Sequence, residues 1–294
     1  MSTFKCVLDA KAHVGECPTW HAGEQRLYWI DSAKGELHRF DPETGHDECR
    51  KLADQIGSFG FRETGGLVAA LGKTFGFVDF ETGRIEPIAE VEKDQPGTCF
   101  NDGRCAPGGR FFAGTMGFPI DPGRRAGAFY RFDPDGRVTR ICDQMGTSNG
   151  LAFSPDGGIL YHADSLPSVQ TIWAWDHDPE TGAVENRRVF AITHELRGRP
   201  DGATVDAEGF YWSANVDGWQ VVRYAPDGSI DTAIPVPVQK PSMPCFGGPD
   251  LDILYVTSIS DGGLSEMDSG QPLAGGIFAC QPGVKGLPEP KFTG

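Results

Sequence analysis

The sequence predicts an all-β fold, a six-bladed β-propeller with four-stranded blades, from features that recur along its 294 residues. The chain contains 40 glycines and 22 prolines, and its apolar runs are short, aromatic and β-branched, which is typical of strands joined by turns. An aromatic strand closed by an acidic, Pro- or Gly-bearing turn recurs six times. The closing glycines lie 38 to 55 residues apart, which matches the period of propeller blades. They are Gly45, Gly83, Gly136, Gly182, Gly228 and Gly283.

The two ends of the chain are expected to meet in one blade. The N-terminal segment Phe4–Asp9 precedes the first full repeat. We expect it to pair with the last blade, closing the ring and removing an exposed sheet edge. Because no linker or composition break interrupts the chain, residues 1–294 are predicted to form a single domain. Two long segments, 116–126 and 260–272, interrupt the repeat, and loops of this kind commonly gate a substrate site.

Four repeats begin with an oxygen-bearing side chain at the same position. The distance from that side chain to the next turn glycine is 7 or 8 residues, and an aromatic or aliphatic run follows. The stretches are Glu16-Cys-Pro-Thr-Trp-His-Ala-Gly23, Asn101-Asp-Gly-Arg-Cys-Ala-Pro-Gly108, Asn149-Gly-Leu-Ala-Phe-Ser-Pro-Asp-Gly157 and Asp201-Gly-Ala-Thr-Val-Asp-Ala-Glu-Gly209. Asn-Asp-Gly and Pro-Asp-Gly are also ordinary turn signals, so each stretch alone carries little information. Their shared register is what indicates a function.

These four side chains are predicted to converge at one mouth of the central channel, because the first strand of each propeller blade lines that channel. Glu16 and Asp201 would repel each other there unless a proton or a cation intervened. Neutral Asn149 would add an oxygen ligand without further charge. Two carboxylates with amide oxygens describe a site for a hard divalent cation, and the incomplete protein coordination leaves positions for water and substrate.

Composition excludes several classes of partner. A net charge of -15 and a pI near 4.8 argue against nucleic-acid binding, which requires a basic surface. No apolar run has the length of a membrane span, and no signal peptide is evident, so we expect a cytoplasmic protein that binds neither membrane nor nucleic acid. The eight cysteines are scattered without metal-binding spacing. The sequence does not indicate an oligomeric state, and it is compatible with a monomer.

Six stretches together resemble the senescence marker protein 30 / gluconolactonase / regucalcin family. The resemblance extends in order over about residues 12 to 283. The stretches are Gly15-Glu-Cys-Pro-Thr-Trp, Phe100-Asn-Asp-Gly, Phe112-Ala-Gly-Thr-Met, Ser148-Asn-Gly-Leu-Ala-Phe-Ser-Pro-Asp-Gly, Arg199-Pro-Asp-Gly and Cys245-Phe-Gly-Gly-Pro-Asp. The resemblance implies a six-bladed propeller that hydrolyses sugar lactones with the help of a divalent metal.

The resemblance also implies roles for individual residues. Glu16, Asn149 and Asp201 resemble the metal ligands of the family, and Asp201 is also the candidate general base. Asn101 resembles the polar residue that holds the substrate. Cys99 stands where many relatives have arginine, and Gly117-Phe-Pro stands where many have an acidic residue. Both positions contact sugar hydroxyls in relatives, so the substrate preference is left open, with Cys99 and Arg199 as candidate substrate-binding residues.

The function predicted from the sequence is the hydrolysis of an aldonolactone to its aldonic acid with one divalent metal ion. The sequence does not distinguish Ca, Zn, Mn, Mg and Fe(II) as the bound ion. It also leaves open whether Asp201 or the metal activates the water. A metal-dependent aryl-ester or phosphotriester hydrolase is one alternative. A non-catalytic calcium-binding propeller is the other.

Overall fold

The computed structural model, which describes residues 3–262 and 264–294, contains 24 strands in six four-stranded antiparallel sheets. Blades 1 to 3 contain β2 (Gly15–His21), β3 (Arg26–Asp31), β4 (Glu36–Phe40), β5 (Asp47–Lys51), β6 (Ile56–Phe61), β7 (Leu67–Leu71), β8 (Thr74–Val78), β9 (Ile85–Glu90), β10 (Thr98–Cys105), β11 (Phe111–Gly117), β12 (Gly127–Phe132) and β13 (Val138–Met145). Within these described residues, no helix has the length and apolar character needed to cross a membrane.

The second half of the ring repeats the same antiparallel order of strands. Blades 4 to 6 contain β14 (Ser148–Phe153), β15 (Ile159–Asp164), β16 (Thr171–His177), β17 (Val184–Ile192), β18 (Arg199–Val205), β19 (Tyr211–Val216), β20 (Gln220–Tyr224), β21 (Ile230–Pro235), β22 (Pro241–Gly247), β23 (Ile253–Ser258) and β24 (Ile277–Cys280), with β1 (Lys5–Leu8) as the outer strand of blade 6. The predicted six-bladed propeller is therefore confirmed.

The N-terminal strand closes the ring. β1 pairs antiparallel with β24, where Lys5 lies opposite Ala279 and Cys6 lies opposite Phe278. The innermost strands of successive blades contact one another around the axis, and β22 contacts β2 to complete the circle. The predicted closure is thus confirmed, and one blade contains both ends of the repeat array.

The hydrophobic core is divided among the interfaces between neighbouring blades. Six apolar clusters fill the six interfaces, because each blade presents one sheet face to the blade before it and the other to the blade after it. Trp29 and Trp212 are among the largest fully buried side chains. This two-sided burial explains why a strand such as β7, Leu-Val-Ala-Ala-Leu, is continuously apolar and fully buried.

Every innermost strand has a register irregularity next to the residue that heads its repeat. The pairing of β2 with β3 shifts between Glu16 and Thr19, and the equivalent shifts in blades 3, 4 and 5 flank Asn101, Asn149 and Asp201. Such bulges bend a strand and redirect its side chains. The residue after Asn149 is Gly150, whose φ of 66° is the left-handed conformation that glycine adopts at low cost.

The C-terminal tail, residues 284–294, crosses the opposite end of the channel. Ala207 N–H donates to the Lys285 carbonyl at 2.8 Å, and Phe292 N–H donates to the Phe61 carbonyl at 2.8 Å. The Phe292 side chain is fully buried and stacks on Phe132. Because these contacts lie at or just beyond the ends of the inner strands, the tail leaves the mouth at their beginnings open.

Candidate active site

A cavity of about 350 Å³ lies at the mouth where the inner strands begin. All six site residues selected from the sequence line it, although they come from blades 1, 3, 4 and 5. They are Glu16, Cys99, Asn101, Asn149, Arg199 and Asp201. The structure thus brings together side chains up to 185 positions apart (16 to 201), and their individual roles stay predictions.

A chain of hydrogen bonds orients the amide of Asn149. Its nitrogen donates to the Ser165 hydroxyl at 2.7 Å, and the same hydroxyl donates to the Pro200 carbonyl. Its oxygen accepts a hydrogen bond of 3.0 Å from the amide nitrogen of Asn101, which also donates to the Ser148 carbonyl at 2.9 Å. The amide oxygen of Asn149 is therefore directed towards Asn101, and the nitrogen is directed away.

The carboxylates at the cavity floor are crowded and poorly solvated. Burial, followed by the charges of Asp201 and Asp102, raises the pKa of Glu16 well above its ordinary range. Burial raises the pKa of Asp201 to about 8, with Arg199 and a hydrogen bond from Asn149 opposing the shift. Neither carboxylate has an ion-pair partner within 4.0 Å in the described part of the chain. Negative charge at this floor is therefore costly without a proton or a cation.

Asp102 is a third buried carboxylate that the sequence analysis did not select. It is 4% exposed and accepts a hydrogen bond of 2.9 Å from the backbone N–H of Leu151. Burial raises its pKa to about 6, although hydrogen bonds and the charge of Arg104 counteract this. The sequence signal was present, since Asp102 immediately follows Asn101 in register, but Asn-Asp-Gly is typical of a turn. The bulge in β10 instead buries this side chain in the channel.

The two candidate substrate-binding residues that line the cavity differ in their charge and in their contacts with the protein. The Arg199 guanidinium forms an ion pair of 2.7 Å with Asp217 and donates to the Ser165 carbonyl at 3.2 Å. Burial, and then the charge of Glu92, raises the pKa of the Cys99 thiol to about 12, which keeps it neutral. The Arg199 guanidinium is thus already paired with other groups of the protein, while Cys99 presents a small uncharged surface to the cavity.

Both long segments that interrupt the repeat reach the cavity. Met116, Phe118 and Ile120 line it from the first, and Asp261 and Leu264 line it from the second. The first segment is attached to its surroundings by a 2.9 Å hydrogen bond from the Phe118 N–H to the Gly97 carbonyl. The second is held by the buried Lys240 ammonium, which donates to the Gly262 and Ser265 carbonyls at 2.7 and 2.5 Å.

A second group of metal-ligand types lies outside this cavity. Donor atoms of Glu36, His38 and Cys49 lie within 4.8 Å of one another on the outer strands of blade 1. The His38 ring also contacts the Asp47 carboxylate at 2.7 Å. None of these residues lines the cavity, so they do not contribute to the predicted centre.

The fold and the cavity define a class of protein: a six-bladed propeller with a carboxylate- and amide-lined site at one mouth of its channel. A family model described as the SMP-30/gluconolactonase/LRE-like region matches residues 14–260. The chain belongs to this family, and the resemblance seen in its motifs is confirmed.

Several relatives extend over nearly the whole chain. A 6-deoxy-6-sulfogluconolactonase of Pseudomonas putida is 40% identical over 292 residues and covers 99% of each chain. A pentonolactonase of Haloferax volcanii is 38% identical and covers 98% of this chain and 97% of the relative. The crystal structure of a calcium-binding protein, regucalcin, from Agrobacterium tumefaciens superimposes with a TM-score of 0.90, 29% identity and coverage of 98% and 96%.

Proposed function

We propose that this protein is a divalent-metal-dependent lactonase that hydrolyses a sugar lactone to the corresponding aldonic acid. Family membership supports the reaction class, and the two full-length lactonase relatives support a sugar lactone as substrate. The observation that carries the metal dependence is the crowding of Glu16 and Asp201 beside the amide oxygen of Asn149.

The donor set at the cavity floor fits a divalent cation. Glu16, Asn149 and Asp201 would hold it, because two carboxylates and an amide oxygen are ligands that calcium, magnesium and manganese prefer and that zinc and ferrous iron accept. Held there, a cation would supply Lewis-acid chemistry, polarising a lactone carbonyl and offsetting the negative charge on its oxygen. These oxygen donors do not select one metal among those five.

The side chains around the cation have separate tasks. Asp201 is the proposed general base, because it is a carboxylate that lines the cavity beside the other proposed ligands. Binding a cation lowers the proton affinity of a carboxylate, so activation of water by the cation is the alternative to this role. The Asn101 nitrogen is already engaged with Ser148 and Asn149, so its amide oxygen is the group that accepts a hydrogen bond from a substrate hydroxyl. Ser165 keeps the Asn149 oxygen directed towards the centre.

The proposed assembly is a single chain acting on a small molecule. All predicted ligands and substrate contacts come from one copy, so a monomer suffices for the chemistry. Because those residues are contributed by four different blades, we propose that residues 1–294 function as one domain. The acidic surface, with a net charge of -15, does not favour nucleic acid as a partner.

A substrate panel on metal-stripped protein, with each cation added back separately, tests the proposal. We expect hydrolysis of aldonolactones only when a divalent cation is present, and slower hydrolysis of aryl esters and phosphotriesters. Faster turnover of the aryl esters or phosphotriesters would favour the alternative hydrolase. Absence of all hydrolysis with every cation, together with tight calcium binding in calorimetry, would favour a non-catalytic calcium-binding propeller.

A further inference from the structure

The wall of the cavity above its polar floor is largely apolar. Side chains from four blades and from both long segments form this wall. They are Val14, Ile56, Met116, Phe118, Ile120, Val216, Ile259 and Leu264. Phe118 is 47% exposed, which makes it one of the few large apolar side chains on the surface, and it lies at the cavity. An exposed aromatic side chain beside a concave polar site is typical of ligand contact.

The lining offers no free positive charge to a substrate. Arg199 is the only lysine or arginine among the described residues that line the cavity, and Asp217 neutralises it at 2.7 Å. Glu16 and Asp201 would offset the charge of a bound divalent cation at the floor, and Asp261 adds a further carboxylate at the wall. An anionic group placed against the apolar wall, away from the proposed cation, would therefore lose its hydration without gaining an ion-pair partner.

One polar group of the wall is unused by the protein. Thr147 lines the cavity and is 7% exposed, and its hydroxyl oxygen, which is itself shielded from solvent, has no hydrogen-bond partner among the described residues. Buried hydroxyls are normally paired, and a rotation of this side chain would let its hydroxyl pair with a hydroxyl of a bound ligand. The lining therefore accommodates a ligand that is polar along one edge, towards Thr147 and Asn101, and apolar along the other.

We propose that the apolar wall is a subsite for a methyl or short alkyl substituent, so that the enzyme prefers neutral deoxy-sugar lactones. This inference rests on the proposed lactonase function and names the substrate class of the same cavity. Lactones that place a hydroxymethyl group against the apolar wall bind less well, because its hydroxyl would be buried against Phe118 and its apolar neighbours. Lactones with a carboxylate or sulfonate there bind least well.

A matched set of substrates tests the subsite. The set contains D-gluconolactone, its 6-deoxy analogue and the lactone of the corresponding diacid, which place hydroxymethyl, methyl and carboxylate at one position. We expect kcat/KM for the 6-deoxy lactone to exceed that for gluconolactone by about 10-fold, with the diacid lactone slowest. Equal or faster turnover of gluconolactone or of the diacid lactone would overturn the subsite while leaving the lactonase function intact.

Two variants test whether the apolar wall causes the preference for the 6-deoxy lactone. Phe118→Ser should reduce the preference for the 6-deoxy lactone by about 3-fold or more, since it removes apolar contact area. Ile230→Ser is the matched control, because Ile230 is 51% exposed on the outer strand of blade 5 and should leave the preference unchanged. An unaltered preference in the Phe118 variant would contradict the assignment.

Binding without turnover separates the two proposals. Lactam analogues, in which nitrogen replaces the ring oxygen, resist hydrolysis and can be compared as methyl and hydroxymethyl forms by calorimetry. The subsite predicts tighter binding of the methyl form by about 10-fold, whether or not any lactone is hydrolysed. Equal affinities would refute the subsite, whereas tighter methyl binding without hydrolysis of any lactone would refute only the lactonase function.

Discussion

The amide nitrogen of Asn101 donates a hydrogen bond of 3.0 Å to the amide oxygen of Asn149. This contact joins the inner strands of blades 3 and 4 at the cavity. The Asn149 nitrogen donates to Ser165, and an amide nitrogen has no lone pair for a cation, so the oxygen is the atom of that amide that can bind one. The orientation of a predicted ligand thus depends on a serine in the neighbouring strand connection.

Replacing Ser165 with alanine should weaken metal binding. The change removes the acceptor that holds the Asn149 nitrogen, and loss of such an outer contact commonly costs 10- to 100-fold in metal affinity. Titration of metal-stripped protein by calorimetry measures the effect. Ser229→Ala removes an exposed turn serine and should have no effect. Equal metal affinity in the two variants would show that Ser165 does not position the ligand.

Asp201→Asn should retain the fold and lose turnover by at least about 10²-fold, because it removes both a negative ligand and the proposed base. Asp227→Asn is a closely matched control, since Asp227 lies in the same Pro-Asp-Gly tripeptide but closes an exposed turn. Steady-state rates at saturating metal, with circular dichroism as the test of folding, give the comparison. Near-normal turnover in the Asp201 variant would exclude both roles.

The stability of the metal-free protein should fall as pH rises from about 6.5 to 8; at lower pH the buried His162, whose pKa burial lowers from 6.5 to about 3, has the opposite effect. Folding raises the pKa of Asp201 from its ordinary 3.8 to about 8 and that of Asp102 to about 6, so the folded state binds protons that the unfolded chain releases. Tm should therefore drop by at least about 4 °C across this window.

A saturating divalent cation should oppose this loss of stability. The cation binds the deprotonated carboxylates of the folded state, so its stabilising effect should be largest at pH 8 and smallest at pH 4. Differential scanning calorimetry with and without calcium measures both trends. A Tm that stays flat with pH in the metal-free protein would contradict the proposed crowding of carboxylates.

Phe292→Ala should destabilise the protein by about 3–5 kcal/mol, since Phe292 is fully buried and stacks on Phe132. The measurement is urea unfolding followed by tryptophan fluorescence. Val189→Ala, at a side chain that is 57% exposed, is the control and should change stability by less than about 0.5 kcal/mol. Equal stability of the two variants would show that the C-terminal tail does not contribute to the folded core.

Much of the candidate site was predictable because its signals are local. The side chains at Glu16, Asn101, Asn149 and Asp201 precede short apolar strands at a constant spacing, and a repeat fold converts equal spacing into convergence. Asp102 and Ser165 were missed for a different reason. Asp102 looked like a turn residue, and Ser165 has no motif of its own, since its role arises from its contact with Asn149.

By itself, the sequence determined the six-bladed architecture, the closure by the N-terminal strand and the family, because turns, short apolar strands and the family's motifs each lie within a few neighbouring residues. Tertiary structure alone decided that Arg199 is neutralised by Asp217, that the buried Asp102 lies close enough to Glu16 to raise its pKa, and that the far mouth is crossed by residues 284–294. These features depend on which blades face each other and where bulges turn the side chains. Neither property is contained in any short segment of the chain.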